Sequence, residues 1–260
     1  MIHGMWGGAW CWQNYRRFFQ SHGYQCVATT LPYHDREPRS APDPRLGSTS
    51  LLDYAAALER EIVALAETPI LMGHSMGGLL AQMLAGRGLA RALVLLAPAS
   101  PAGIFSLSPS VLRSFWSLQT TPGFWKKPFR PTFPEARFSM LHRLPEAEQR
   151  TIYEKLGYES GRAAAEIGYW FFDPKRAAKV DEARVTCPVL AIGGGQDRIV
   201  PISVTRKVAR KYAPTAACKE FANHGHWIVG EPGWADVAGY ACRWLGSLPD
   251  LNPRVARPVQ

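Results

Sequence analysis

The amino-acid sequence predicts an α/β protein: a mostly parallel sheet with helices packed on its faces. Three observations predict it. Apolar stretches of strand length alternate with segments of helical periodicity, the pattern of βαβ units. A glycine-rich turn, Gly73-His74-Ser75-Met76-Gly77-Gly78, falls where a strand passes into a helix. The 260 residues are 47% hydrophobic and 20% charged, enough to bury one large core and unlike a disordered chain.

The elements follow in order. His3-Gly4-Met5-Trp6-Gly7-Gly8 is a glycine-rich turn leading into a helix that carries Tyr15, Phe18 and Phe19. Tyr24 to Leu31, stopped by Pro32, reads as a strand. Ser50-Leu51-Leu52-Asp53 has the form of a capping box. The helix it opens aligns Leu51, Ala55, Leu58, Ile62 and Leu65 on one face. Pro69 to Gly73 is a short apolar strand, followed by a helix holding Leu79, Leu80, Met83 and Leu84. Ala92 to Ala97 and Pro188 to Gly193 read as buried strands, and Ala217 to Phe221 as a weaker one.

Between 101 and 180 the alternation stops. This stretch holds 14 of the 29 aromatic residues, with 12 basic and 7 acidic side chains. Glu146 to Leu156 and Arg162 to Phe172 read as helices within it. The expected organisation is therefore a core made by 1–100 and 181–248, an inserted helical cap at 101–180, and a flexible tail at 249–260.

Composition narrows the function classes. The net charge of +9 invites a nucleic-acid or anionic-surface reading. The basic residues form no run longer than two, as at Arg16-Arg17, and no recognition motif accompanies them, so no nucleic-acid partner is expected. The five cysteines have no Cys-x-x-Cys or Cys/His spacing, which predicts reduced thiols and no metal site. No apolar run approaches the ~18 residues of a membrane span. The N-terminus lacks the basic and apolar regions of a secretory signal. The expectation is a cytoplasmic protein without integral membrane association.

The G-x-S-x-G turn carries the chemistry. A strand–turn–helix elbow holds its serine in a strained backbone conformation with the hydroxyl projecting from the sheet edge, and the helix N-terminus adds partial positive charge there. Ser75 needs a base and an orienting acid, which in this architecture follow in the order Ser, acid, His, each after a strand. Asp197 closes Gly193-Gly194-Gly195-Gln196-Asp197, and His226 lies in Asn223-His224-Gly225-His226-Trp227. Ser75, Asp197 and His226 are the expected catalytic residues, with His224 a rival base and Asp173 and Asp181 rival acids. Acyl transfer also needs two donors for the oxyanion. The N–H of Met76 is one, and that of Met5, with Trp6 next, the other.

Together these segments resemble the α/β-hydrolase superfamily from His3 to about Leu245. The opening His-Gly-x-Trp-x-x-x-Trp-x-Trp is similar to the branch of small carboxylesterases, plant methylesterases and hydroxynitrile lyases. The resemblance implies ester hydrolysis first. Trp227 stands where such lyases carry a lysine, and Ser75 departs from the aspartate nucleophile of dehalogenases and epoxide hydrolases. The superfamily has further strands before its His-Gly turn, whereas Met1 and Ile2 alone precede His3, so N-terminal strands are expected to be missing or truncated. An exposed sheet edge would then offer a homodimer contact.

The expected function is a carboxylesterase-type serine hydrolase for esters with short to medium acyl or hydrophobic alkyl groups, working without metal or organic cofactor. Trp6, His74, Phe124, Trp125, Trp170 and Trp227 are the expected substrate contacts, with packing beneath the elbow the competing role for His74. Lipase, thioesterase and carbon–carbon bond hydrolase remain open as alternatives. So does a ligand-binding, receptor-like protein with vestigial hydrolysis.

Overall fold

A computed structural model describes residues 1–105, 108–249 and 251. After a 3₁₀ turn at Ala9–Trp12, α1 (Gln13–Ser21) begins the helical part of the chain. The segment from Tyr24 to Leu31, expected as a strand, is not one. Its backbone is held beside the N-terminus by Met1 N to Val27 O (2.7 Å), Thr29 N to Met1 O (3.1 Å) and Leu31 N to the His3 ring (3.1 Å). These isolated bonds replace a ladder, so β-branched composition was not sufficient here.

The capping box at Ser50 forms as its sequence predicts. Ser50 Oγ accepts from Leu52 N (3.1 Å), and the Asp53 carboxylate accepts from Ser50 N (2.9 Å). It opens α2 (Leu51–Val63), which buries Leu51, Ala55, Leu58 and Ile62. Leu65 lies past the helix end and is exposed. The strand β1 (Ile70–His74) then passes through Ser75 into α3 (Met76–Ala85), a helix with every residue buried. β2 (Ala92–Leu96) follows, also wholly buried.

The stretch 101–180 carries α4 (Pro109–Ser114), α5 (Trp116–Gln119), β3 (Pro128–Phe129), α6 (Phe133–Ser139), α7 (Glu146–Lys155), β4 (Glu159–Ser160) and α8 (Gly161–Gly168). The β3–β4 antiparallel pair has too short a run in each strand for a sequence pattern to reveal. The helix expected over Arg162 to Phe172 stops at Gly168, and Trp170–Phe172 forms a 3₁₀ turn. A glycine followed by four consecutive aromatic residues favours that stop. Two buried carboxylates tie this stretch to the rest. Glu159 accepts from Tyr54 Oη (2.7 Å) and pairs with His34 Nε2 (3.1 Å), while Glu166 accepts from Leu51 N (2.8 Å) at the start of α2.

The chain then returns through β5 (Val189–Gly194), α9 (Ile202–Lys211), β6 (Ala216–Phe221) and α10 (Trp234–Gly246). The main sheet is parallel throughout, in the order β1-β2-β5-β6. Right-handed crossovers of this order put α3 and α9 on one face, and α1 packs against α10. Outside β1, Ile2 bridges Gly73 in parallel, with Ile2 N to Met72 O at 2.8 Å. The loops leaving the carboxyl ends of β1, β5 and β6 are the ones that carry Ser75, Asp197 and His226. In open parallel sheets ligands collect at that edge. Among the described residues no helix is long and apolar enough to cross a membrane. Of the expected tail, Pro249 and Leu251 are described, and residues 250 and 252–260 lie outside the described residues.

Candidate active site

Ser75 sits at the junction of β1 and α3 with φ +53° and ψ −121°, a left-handed φ that a serine adopts only when its surroundings fix it. They do so on both sides. Ser75 N donates to Leu96 O (3.0 Å), and Ser75 O accepts from Gly78 N (2.9 Å), Leu79 N (3.3 Å) and Ala99 N (2.9 Å). The glycines of the turn permit the crossing: a methyl on Gly73 would strike the Gly77 backbone, and one on Gly77 would strike the Ile2 and His3 carbonyls.

Three side chains meet at this point. His226 Nε2 lies 3.0 Å from Ser75 Oγ, and His226 Nδ1 lies 2.8 Å from Asp197 Oδ2. The second carboxylate oxygen of Asp197 accepts from Ile199 N and Val200 N, both at 2.8 Å, so the acid is fixed by its own loop. With the proton of the neutral imidazole on Nδ1, facing the carboxylate, the Nε2 lone pair faces the serine hydroxyl. All three residues are buried.

The rival residues go elsewhere. His224 Nδ1 pairs with Glu231 Oε1 (2.8 Å), which also accepts from Gly225 N (2.7 Å). Glu231 thereby braces the loop that presents His226, a role only the fold reveals. Asp173 accepts from the N–H groups of Lys175 and Ala177 in its own turn, and Asp181 precedes a 3₁₀ turn at Glu182–Arg184.

The two expected oxyanion donors flank the serine. Met76 is the first residue of α3, where an N–H has no intrahelical acceptor. Met5 lies in a turn closed by Gly7 N to Gly4 O (3.3 Å), with Trp6 at φ +64°. That turn rests on the elbow, since a methyl on Gly4 would sit 2.8 Å from Ser75 Cβ and 3.1 Å from His74 Nδ1.

Met5, Ser75 and Met76 form the floor of a cavity of about 160 Å³. Of its 20 lining residues, 12 come from 101–180. The lining is chiefly apolar, with Phe115, Leu118, Ala164 and Ile167 from 101–180 and Ile199, Val200 and Val204 from the segment after β5. Of the six expected substrate contacts, Trp170 lines this cavity and five do not. Trp6 is buried against Phe115 and Phe129. His74 packs beneath the elbow and donates from Nε2 to His226 O (2.8 Å). Trp227 is buried against Trp10 and His74. The 3₁₀ turn Phe124–Lys126 turns Phe124 inward, into a small cluster with Leu118 and Ala164, and Trp125 outward to solvent. Aromatic content does not say which face of each turn meets the cavity. Ile199 and Val200 were missed, although their place directly after the expected acid was a usable signal.

Two histidines around the elbow are held neutral. Burial, then the neighbouring His226, pushes His74 down to about 3. Burial, then His34, does the same to His3, also to about 3.

A family model described as the alpha/beta hydrolase family matches residues 1–238. Among solved structures, a methylesterase from Arabidopsis is similar with a TM-score of 0.70 at 16% identity, over 95% of this chain and 98% of that one. A pyrethroid hydrolase from Sphingobium faniae JZ-2 gives 0.70 at 17% identity, over 95% and 96%. A monoacylglycerol lipase from Paleococcus ferrophilus gives 0.67 at 23% identity, over 94% and 91%. At these identities the likeness is one of fold. No curated protein sequence matches the chain significantly.

Proposed function

Because the chain belongs to the alpha/beta hydrolase family, we propose that it is a carboxylesterase-type serine hydrolase acting through an acyl-enzyme. The observation that carries this reading is the continuous relay from Ser75 Oγ through His226 to Asp197, at 3.0 and 2.8 Å. In it, Ser75 attacks the ester carbonyl while His226 accepts the hydroxyl proton. Asp197 fixes the imidazole tautomer and stabilises the imidazolium. The N–H groups of Met76 and Met5 receive the oxyanion. His226 returns the proton to the departing alcohol, then deprotonates the water that releases the acid.

The apolar cavity supports an ester whose acyl or alkyl part is hydrophobic, with 101–180 acting as the cap over it. The methylesterase, pyrethroid hydrolase and lipase among its structural neighbours are in keeping with ester chemistry. The test is hydrolysis of p-nitrophenyl esters from acetate to palmitate by wild type and Ser75→Ala. Loss of the nucleophile is expected to lower kcat by about 10⁴- to 10⁶-fold, and the preferred chain length measures the cavity. An inert wild type, or a variant as active as wild type, removes the esterase reading and favours a ligand-retaining protein of the same fold.

A further inference from the structure

Among the described residues, seven of the ten large apolar side chains left exposed fall within 101–180. Several are in contact. The ring centroids of Phe105 and Phe171 are 5.7 Å apart, those of Phe171 and Phe172 4.4 Å, and those of Tyr169 and Phe171 6.4 Å. Phe105 and Tyr169 also line the cavity above Ser75, so this patch forms the rim of its mouth. Phe171 and Phe172 are 47% and 78% exposed, a concentration of apolar area that marks a contact surface rather than scattered exposure.

Cations border the rim. Lys175, Arg176 and Lys179 follow Phe172, and Lys126 and Lys127 follow Trp125; all five are exposed. None of the five belongs to an ion pair among the described residues. Asp173, between Phe172 and Lys175, is occupied by Arg162 (3.6 Å) and by two backbone N–H groups. Projecting aromatic side chains flanked by lysines outside any close ion pair suit the boundary between water and anionic headgroups. Lysine is depleted in protein–protein interfaces, which makes a protein partner the poorer fit.

We propose that this rim docks the protein on an anionic lipid surface, with Phe171 and Phe172 entering the headgroup layer and the flanking cations meeting lipid phosphates. The mouth of the cavity then opens onto the lipid. Docking is independent of turnover, so it holds for a Ser75→Ala protein as for wild type.

The experiment is co-sedimentation of the full chain with vesicles of phosphatidylglycerol and phosphatidylcholine, and with vesicles of phosphatidylcholine alone. Each of the five cations near the surface contributes to anionic preference, so partition onto the mixed vesicles is expected to exceed that onto the neutral ones by more than about tenfold. Phe171→Ser with Phe172→Ser should lower it by about 10- to 100-fold. Lys175→Glu with Lys179→Glu should lower it by about tenfold or more. Hydrolysis of p-nitrophenyl acetate is followed in parallel: its absence bears on the esterase reading and leaves the partition result untouched. Wild type remaining in the supernatant with both vesicles overturns the proposal, as does a phenylalanine double variant that partitions like wild type. A gel-filtration dimer abolished by that double variant, without vesicle binding, would identify the rim as a contact between copies instead.

Discussion

His74 and His226 are joined by one hydrogen bond, from His74 Nε2 to the His226 main-chain carbonyl at 2.8 Å, with the two rings 4.9 Å apart. The residue before Ser75 thus supports the backbone of the proposed base. Its partner in this layer, His3, accepts from Leu31 N and anchors the turn that holds Met5.

Both histidines make the fold sensitive to acid. In the unfolded chain each binds a proton near 6.5, whereas in the native state His74 and His3 do so only near 3. Their contribution is therefore complete above pH 6.5 and is lost as pH falls from there towards 3. Each group adds about 1.4 kcal/mol per pH unit, so the pair gives a slope near 3 kcal/mol per unit. Burial opposes charge on His34, but Glu159 raises its pKa overall, so His34 adds no slope below pH 6.5. Urea unfolding midpoints measured between pH 7 and 4.5 should fall steadily; a flat profile would show that these rings do not stay neutral.

Asp197→Asn keeps the shape of the acid while losing its charge. The amide can still accept from Ile199 N and Val200 N, but it no longer selects the imidazole tautomer that frees Nε2 for Ser75. A fall in kcat of about 10⁴-fold is expected with little change in KM. Equal losses in Asp173→Asn would instead point to the wrong acid.

Gly4→Ala tests the seating of the Met5 turn on the elbow. The added methyl would lie 2.8 Å from Ser75 Cβ and push the turn outward. Displacement of about 1 Å in such a site costs on the order of 10²-fold in turnover. Circular dichroism and steady-state kinetics on the same preparation separate a misplaced donor from an unfolded chain, and unchanged kcat would clear Met5 of the role.

Ala164→Leu should shorten the cavity. Ala164 is buried beside Leu118 and faces the space above Ser75. Discrimination against one added methylene in such pockets amounts to about 10- to 200-fold in kcat/KM. Longer p-nitrophenyl esters are expected to lose ground to the acetate by that order. A uniform loss across the series would mean that acyl chains lie elsewhere.

The elbow was legible because strand, G-x-S-x-G and helix are contiguous in sequence, so local pattern and backbone geometry coincide at Ser75. Asp197 and His226 were legible through chain order and their glycine-bearing loops. What the sequence withheld depends on which face of a short turn points inward. Phe124 and Trp125 are neighbours, yet one is buried and the other is open to solvent. The bracing by Glu231 of the loop that bears His226 likewise joins residues whose pairing no periodicity encodes. Tyr24 to Leu31 had the composition of a strand but lacked a partner able to offer more than isolated bonds.

Ser75 and His226 are separated by 151 positions in sequence and brought together by a sheet in which β2 and β5 lie between their strands. Closing so long a loop costs entropy before the contact rewards it, which slows its formation. Recovery of enzymatic activity after denaturation should accordingly lag behind the return of helical signal. As the proposed nucleophile, Ser75 thus doubles as a clock for the last step of assembly: an active-site acylating probe added at intervals would label the chain only once its distant ends have met.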